Sequence, residues 1–415
     1  MKSILNISRT IDIGSRFNNF SLRNEFPRFD WESHFASWEK PAHEAVNGQV
    51  LIHSAKNNLN GAITRWQRKV SRLTGDIDGY YRNAKYFMEM EVFKKADLLH
   101  FHILHDHYLS LNDWIKLARE KPVIWTWHDP YPMHGHCIHS FECERYQTGC
   151  KSCPKLDNHF EIVRDRSLEN LAERIVAIEK MDPLIIVASE WMHDRILKSQ
   201  LKKNLRVAVV PFGVQAPAIE DQTRKAVKAK LNIPKDNIVI GLRADGGPYK
   251  GLDLITQILE KFSKEYPYCP ITFVTCHMVG WLSDFSDTFQ VIDLGWVGGD
   301  DIHQYYSIMD FFLMPSQAES FGMMAVEAMM QGAHPLVTYG TALESIVDVC
   351  SDKLISQHAP EQYYELFVKS VLNVDYYRKH RHSLASQARE RYSSEVFMSK
   401  LTNLYSQEYA RFHNL

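Results

Sequence analysis

Two glutamates eight positions apart, Glu319 and Glu327, are the side chains best spaced for chemistry on a ligand. The run that they enclose reads Glu-Ser-Phe-Gly-Met-Met-Ala-Val-Glu. It follows an apolar strand and a polar turn, and it opens a helix that we expect to end at Gly332, a good helix-ending residue. Glu319 therefore lies in the loop before the helix, and Glu327 lies about two turns inside it.

The start of this helix is a candidate anion site. The N–H groups of Phe321, Gly322 and Met323 would have no partner in the first turn, where the helix dipole also favours a negative charge. The two carboxylates would lie about 12 Å apart, whereas those of a sugar hydrolase lie at most about 9.5 Å apart. This spacing suits a nucleotide-sugar, with Glu319 accepting from sugar hydroxyls and Glu327 from the ribose. A buried glutamate paired with a lysine is the alternative for Glu327.

A second candidate segment carries two cations, Arg243 and Lys250, just after a predicted strand. The glycine-containing turn between them, residues 244–249, would let the backbone approach an anion. Two cations could neutralise a leaving diphosphate. The alternative is a solvated loop that happens to contain both residues, but the glutamate run elsewhere in the chain favours a phosphate site.

His128 is a third candidate, because it ends the apolar run of residues 123–127. The carboxyl ends of the strands face the ligand site in α/β folds. A histidine there could bond the donor sugar or the leaving phosphate. The alternative is a structural histidine that is satisfied by its neighbour Asp129.

Several segments of the chain together resemble the retaining glycosyltransferases of the GT-B fold, particularly family 4. They match the family motifs in the same order along most of the chain, although Arg243 stands one place later than usual. The segments are Thr126-Trp127-His128-Asp129, Pro211-Phe212-Gly213-Val214, Gly241-Leu242-Arg243 with Lys250-Gly251, and the run of residues 319–327.

The resemblance implies a complete donor site. The catalytic residues would be His128, Arg243, Lys250 and Glu319. The donor-binding residues would be Gly14, Arg243, Lys250, Glu319, Ser320, Phe321, Gly322, Met323 and Glu327. Gly14 is the only glycine where relatives usually carry a glycine-rich loop, and Arg16 could add charge there. The family's retaining reaction is described as front-face attack through a short-lived ion pair, so neither a general base nor a catalytic metal is expected.

The function that the resemblance implies is transfer of a hexose from a nucleotide diphosphate sugar to a glycan acceptor. We expect UDP before GDP as the nucleotide, and a lipid-linked oligosaccharide as the acceptor. A similar cysteine-rich insertion occurs in relatives that resemble colanic-acid and O-antigen transferases, which indicates bacterial surface polysaccharide biosynthesis. Two alternatives stay open, a sugar-nucleotide epimerase of the GT-B fold and a zinc-containing nucleotide-sugar-binding protein without turnover.

Buried strands alternate with longer helical stretches, which predicts a parallel α/β architecture. With the resemblance, this gives the GT-B fold, two Rossmann-like doubly wound domains facing across a cleft. We expect an N-terminal acceptor-side domain at 1–210, a C-terminal nucleotide-sugar-binding domain at 211–394 and a helix at 395–415 that crosses back. The first set of predicted strands is Ser3–Ile7, Gln49–His53, Leu98–His102, Pro122–Trp127 and Leu184–Ala188. The second set is Arg206–Pro211, Asn237–Leu242, Pro270–Thr275, Gln290–Leu294, Phe311–Pro315 and His334–Val337.

The composition is that of a soluble globular protein, with 45% hydrophobic and 24% charged residues in 415. A net charge of −2 argues against a general nucleic-acid binder. No stretch approaches the ~20 apolar residues of a membrane span, and the N-terminus has too short an apolar run for a secretory signal. We therefore expect a cytoplasmic protein, with its seven cysteines in a reducing compartment.

Four cysteines lie together in the predicted loop at 130–156, and Cys137, Cys143, Cys150 and Cys153 are plausible ligands of a structural zinc. The loop is too polar to bury a core, so a metal would have a structural purpose there. Two disulfides or four reduced thiols are the alternatives. The loop's histidines could substitute as ligands or contact the acceptor; they are His134, His136 and His139.

A basic segment at 62–73 places Ile63, Trp66, Val70 and Leu73 at helical spacing among several arginines and a lysine. Such a helix could lie on an anionic membrane, which would make the protein peripheral on the inner face of the membrane. A helix packed on its own domain is the alternative. Asp-Ile-Asp at 76–78 resembles the metal-binding motif of the other large transferase fold, but glycines flank it and favour a turn.

Overall fold

The computed structural model describes residues 1–9, 18–38, 53–54, 58–103, 105, 107–201, 205–242, 248–276, 281–298 and 301–415. Three predicted site residues lie outside these ranges: Gly14, Arg16 and Arg243. Most of the predicted strand Gln49–His53 also lies outside them. The chain divides into two compact units, the first of Met1–Pro211 with Phe397–Leu415, and the second of Phe212–Val396.

The first unit is built on a parallel sheet of seven strands. These are β1 (Lys2–Ser8), β2 (Trp31–Ser37), β3 (His53–Ser54), β4 (Leu98–Phe101), β5 (Val123–Trp127), β6 (Leu184–Val187) and β7 (Arg206–Val209). Their spatial order is β3-β2-β1-β4-β5-β6-β7. The central strands are apolar along almost their whole length because both faces of the sheet are covered.

The second unit contains a parallel sheet of six strands. These are β8 (Ile238–Leu242), β9 (Ile271–Thr275), β10 (Gln290–Asp293), β11 (Phe311–Met314), β12 (His334–Thr338) and β13 (Ile355–Ser356). Their spatial order is β10-β9-β8-β11-β12-β13. The chain winds outward from β8 through β10, returns to β11 and then winds the other way, so β8 and β11 flank the switch point of this sheet.

Helices connect the strands in both units. In the first unit they are α1 (Asn58–Thr74), α2 (Ala84–Met88), α3 (Glu91–Lys95), α4 (Leu111–Glu120), α5 (Ser167–Met181) and α6 (Glu190–Lys198). The helices that follow residue 212 are α7 (Asp221–Lys230), α8 (Leu252–Glu265), α9 (Ile302–Ile308), α10 (Met323–Met330), α11 (Leu343–Ile346), α12 (Pro360–Leu372), α13 (Val374–Tyr392) and α14 (Ser394–Phe412). None of the described helices is long and apolar enough to cross a membrane.

The predicted fold class, two doubly wound α/β domains, is confirmed. Two strands were missed. β2 has three consecutive polar residues, Glu32, Ser33 and His34, instead of an apolar run, and β13 has only two residues. β7, which lies in the predicted strand Arg206–Pro211, pairs with β6 at the edge of the first sheet.

The last helix, α14, packs on the first unit through Tyr405, which is fully buried. Its hydroxyl group lies 2.6 Å from Nδ1 of His100, a residue of β4. Its ring packs edge-on against Trp31 of β2, with ring centroids 5.5 Å apart. The carboxylate of Glu408, one turn further on, is buried and pairs with Arg206 of β7. The helix therefore completes the core of a unit that begins almost 400 residues earlier in the chain.

We predict that Tyr405→Phe lowers the free energy of unfolding by about 1–3 kcal/mol, because it leaves the buried Nδ1 of His100 without this hydroxyl partner. Chemical denaturation of the full chain measures this difference. Tyr268→Phe is the matched control, since Tyr268 is 95% exposed. Equal stabilities of the two variants would contradict the anchoring role of Tyr405.

Candidate active site

Lys250 and Glu319 form an ion pair at the switch point of the second sheet. Lys250 lies in the connection after β8, and Glu319 lies in the connection after β11, the neighbouring strand. The Nζ atom of the lysine donates to Oε1 of the glutamate, and both side chains are largely buried. The two residues come from separate motifs 69 positions apart, and the structure brings them together where α/β sheets bind ligands.

Gly251 allows the two connections to approach each other. Its backbone has a left-handed conformation, with φ of 78°, and a Cβ atom there would lie 2.2 Å from the carbonyl oxygen of Pro315. The amide of Gln317 also donates to the carbonyl oxygen of Tyr249 over 2.8 Å. The backbone on both sides of Lys250, at Tyr249 and Gly251, therefore contacts the connection after β11, and these contacts set the position of Lys250.

The helix α10 begins at Met323, directly after Gly322. Gly322 is left-handed, with φ of 97°, and a Cβ atom there would lie 2.4 Å from Cδ2 of Leu343. Among the described residues, no acceptor takes the N–H groups of Phe321, Gly322 and Met323. These groups and the helix dipole give the tip of α10 a partial positive charge next to the loop that carries Lys250 and Glu319.

Glu327, Ser320 and Phe321 are buried, and Glu327 is only 2% exposed. The ring of Phe321 lies 5.2 Å from that of Phe212 and 6.0 Å from that of Tyr392, measured between centroids. These ring contacts hold the loop that precedes α10 in position. The sequence predicted a ribose contact for Glu327, and that role stays a prediction.

Two of the motif segments pack within the second unit. Val214 of the Pro-Phe-Gly-Val segment pairs with Ser393 at the end of α13. Gly241 lies in β8, where a Cβ atom would come within 2.1 Å of Sδ of Met309 and 3.0 Å of the Phe312 ring. Val214 and Gly241 therefore both have packing roles in the second unit.

His128 lies in the first unit, at the end of β5, where it belongs to a chain of buried polar groups. Its Nε2 is 3.1 Å from Nδ1 of His102, whose Nε2 is 3.0 Å from Oδ1 of Asn6. Since Oδ1 of Asn6 only accepts, His102 donates from Nε2, and its Nδ1 accepts from His128. Burial lowers the pKa of His128 to about 4, so its ring is neutral near pH 7.

Two further histidines, His102 and His105, lie beside His128 and Asp129 and were not predicted from the sequence. Nε2 of His105 lies 2.8 Å from Oδ2 of Asp129. Burial acts to raise the pKa of Asp129. The charge and hydrogen bond of His105 act the other way, and the pKa lies well below its usual value. The available signal was the spacing of histidines around the end of β4, which places them beside the end of β5 in a parallel sheet.

The Asp-Ile-Asp segment at 76–78 has a structural role. Asp78 accepts from Nη2 of the buried Arg174 over 2.5 Å and from the hydroxyl group of Tyr131 over 2.8 Å. The carbonyl oxygen of Asp76 accepts from Ser71 in α1 over 2.6 Å. These contacts tie α1, α5 and the loop after β5 together, in agreement with the structural interpretation of this segment.

The four loop cysteines are free thiols. Burial raises the pKa of Cys137 to about 12 and that of Cys150 to about 11. Sγ of Cys150 accepts from the amide of Gly135 over 3.2 Å. In the described part of the chain, no three histidine, cysteine or acidic side chains are arranged to hold a metal ion. The zinc site at Cys137, Cys143, Cys150 and Cys153 therefore stays a prediction.

The chain is similar to known glycosyltransferases. Residues 223–391 match the family described as Glycosyl transferases group 1. WcaC of Escherichia coli K12, a glycosyl transferase assigned to colanic acid biosynthesis, is 22% identical over 397 residues, which cover 90% of this chain and 91% of WcaC. The matched region contains Lys250, Glu319 and the whole of α10.

Two solved structures show the same fold. Sucrose-phosphate synthase of Thermosynechococcus elongatus superposes with a TM-score of 0.68 at 14% identity, over 99% of this chain and 100% of its own. Anabaena HepE in complex with UDP-glucose superposes with a TM-score of 0.63 at 14% identity, over 98% and 100%. The chain has the GT-B fold, and the comparisons together support a glycosyltransferase.

We predict that Gly251→Ala lowers the free energy of unfolding by about 2–4 kcal/mol, because the new Cβ atom meets a backbone oxygen that cannot move alone. Gly340→Ala is the matched control. Gly340 is also left-handed, with φ of 87°, but nothing lies within 4 Å of the added carbon. Chemical denaturation should show a loss of only about 1 kcal/mol for the control. Equal losses would contradict the close approach at Pro315.

A second prediction concerns pH. Burial lowers the pKa of His100 to about 3 and that of His128 to about 4, below the usual 6.5. Unfolding lets these rings take up protons, so the stability that they contribute is complete above pH 6.5 and is lost as the pH falls towards 4. For each ring that stays neutral in the folded protein, the free energy of unfolding should fall by about 1.4 kcal/mol for every unit by which the pH is lowered in this window.

Urea titrations of the wild type between pH 7 and 5 measure this slope. His128→Gln should make it shallower by the contribution of one ring. An unchanged slope for His128→Gln would show that His128 is protonated in the folded protein.

Proposed function

We propose that the protein is a retaining glycosyltransferase that moves a hexose from UDP to a glycan acceptor in bacterial surface polysaccharide biosynthesis. The observation that carries the proposal is the ion pair of Lys250 and Glu319 beside the tip of α10, at the switch point of the second sheet. Lys250 supplies a cation, Glu319 a carboxylate and the tip of α10 a row of N–H donors. These three kinds of group suit a sugar diphosphate.

Donor binding would rearrange the ion pair. Lys250 would turn from Glu319 to the diphosphate, and Glu319 would accept hydrogen bonds from the sugar hydroxyls. The N–H groups of Phe321, Gly322 and Met323 would donate to the phosphate oxygens. The charge of the leaving group grows during the reaction, so donors already fixed at that place stabilise the transition state more than the ground state.

In the proposed reaction, the bond between the anomeric carbon and the diphosphate oxygen breaks, and its electron pair goes to the diphosphate. The acceptor hydroxyl attacks the same face of the sugar and forms the new bond. Its proton passes to the departing phosphate oxygen, so no protein side chain need act as a base. His128 is neutral and would contribute a hydrogen bond to the donor rather than a charge.

The nucleotide and acceptor rest on the relatives. HepE, which shares the fold, was solved with UDP-glucose, and WcaC is assigned to colanic acid biosynthesis. We therefore propose UDP ahead of GDP, and a lipid-linked glycan as acceptor on the inner face of the membrane. Thermal unfolding with UDP, GDP and their glucose and mannose conjugates tests the nucleotide, because a ligand that binds only the folded state raises the melting temperature.

We predict that Lys250→Ala lowers the turnover of the preferred donor by about 10²–10³-fold, since it removes the one described cation that faces Glu319. Release of free UDP, with or without acceptor, measures this rate. Lys264→Ala is the control, because Lys264 is exposed on α8 in the same unit and should leave the rate unchanged. A rate near that of the wild type for Lys250→Ala would remove the lysine from the diphosphate site.

A further inference from the structure

The helix α1 exposes apolar residues and buries polar ones. Trp66 is 64% exposed and Leu73 is 51% exposed, whereas Gln67 and Ser71 are buried. The buried pair is well bonded, since Gln67 donates to the carbonyl oxygen of Tyr80 over 2.9 Å and Ser71 donates to that of Asp76 over 2.6 Å. These bonds fix the rotation of the helix. A helix that served only its own domain would turn its apolar side inward.

Exposed cations lie on the same side of α1 as the two exposed apolar residues. Arg65, Lys69 and Arg72 are exposed, and no acidic residue occurs between positions 58 and 74. At 100° per residue, these three side chains and those of Trp66 and Leu73 fall within a stripe about 120° wide. The basic residues are concentrated here although the whole chain has a net charge of −2.

A neighbouring loop extends this stripe. The amide of Val163 donates to the carbonyl oxygen of Arg72 over 2.8 Å, and the side chain of Val163 is 58% exposed. Arg164 follows it and is also exposed. Glu161 faces the stripe through an ion pair with Arg72, in which both groups are about half exposed. Such an exposed pair is weak, so Arg72 can exchange the carboxylate for another anion.

We propose that this face, which we call the α1 face, binds the surface of a bilayer that contains anionic lipids. It consists of Arg65, Trp66, Lys69, Arg72, Leu73, Val163 and Arg164. The four cations would contact lipid phosphates, Trp66 would lie at the level of the headgroups, and Leu73 and Val163 would enter the acyl boundary. This combination of basic, aromatic and aliphatic side chains on a helix is typical of interfacial binding.

The proposal of membrane binding depends only on the exposure and charge of the α1 face. The purpose of that binding, access to a lipid-linked acceptor, rests on the proposed function. A lipid-linked acceptor is confined to the membrane. A transferase held at the same surface would therefore encounter its acceptor in two dimensions.

Co-sedimentation of the full chain with vesicles tests the proposal. We expect binding to vesicles of phosphatidylcholine mixed with phosphatidylglycerol, no binding to phosphatidylcholine alone, and release at high salt. The double variants Trp66→Ser with Leu73→Ser, and Arg65→Glu with Lys69→Glu, should each lower the partition coefficient by about tenfold or more. The altered side chains are exposed, so thermal unfolding should stay that of the wild type.

The controls lie on the second unit. Trp296→Ser and Lys264→Glu change side chains that are also exposed, and they should leave vesicle binding unchanged. Wild-type binding by both double variants, or binding that ignores the lipid charge, would overturn the proposal. Self-association that is lost in Trp66→Ser with Leu73→Ser, without vesicle binding, would assign the face to a second copy of the chain.

Failure of the proposed function would appear separately. Vesicle binding is measured without any donor, and UDP release is measured without vesicles. All the α1 variants should release UDP from the donor at the wild-type rate. If the protein bound vesicles but hydrolysed no nucleotide-sugar, the membrane role of the α1 face would stand and the proposed transferase function would be wrong.

Discussion

The contact on which the candidate site depends is the approach of Gly251 to the carbonyl oxygen of Pro315. It brings the connection after β8 against the connection after β11, and only a residue without a side chain fits there. Through this contact, Lys250 meets Glu319 at the place where the sheet changes direction. In the absence of a ligand, the ion pair gives each of these two largely buried charges a partner. In the proposed function, each exchanges this partner for one part of a sugar diphosphate.

The first unit uses neutral polar groups where the second uses an ion pair. His102 and His128 are linked to Asn6 by hydrogen bonds, and burial keeps their rings uncharged. A neutral donor–acceptor chain orients His128 without adding a positive charge. In the proposed reaction, Lys250 and the N–H groups at the tip of α10 act on the leaving diphosphate, where negative charge develops, and Glu319 accepts from the sugar hydroxyls.

The sequence was sufficient for the fold class and for most strands, because a buried parallel strand is a continuous apolar run. It also located Lys250 and Glu319 through their motifs. Their direct contact could not be predicted, since it depends on which strand ends are neighbours in the sheet. The contact of His102 with His128 was missed for the same reason. β2 was missed because polar residues interrupt its apolar ones. The sequence left two alternatives open for the helix that carries Trp66, because periodicity does not tell which face of a helix is buried.

The packing of Tyr405 against Trp31 and His100 makes the first unit discontinuous in the chain. On the ribosome, β1 to β7 are finished long before α14 emerges, and until then the pocket for Tyr405 has no occupant. The second unit can close its own core first, because its residues are contiguous. The half of the protein that is synthesised first is therefore the last to reach its final form.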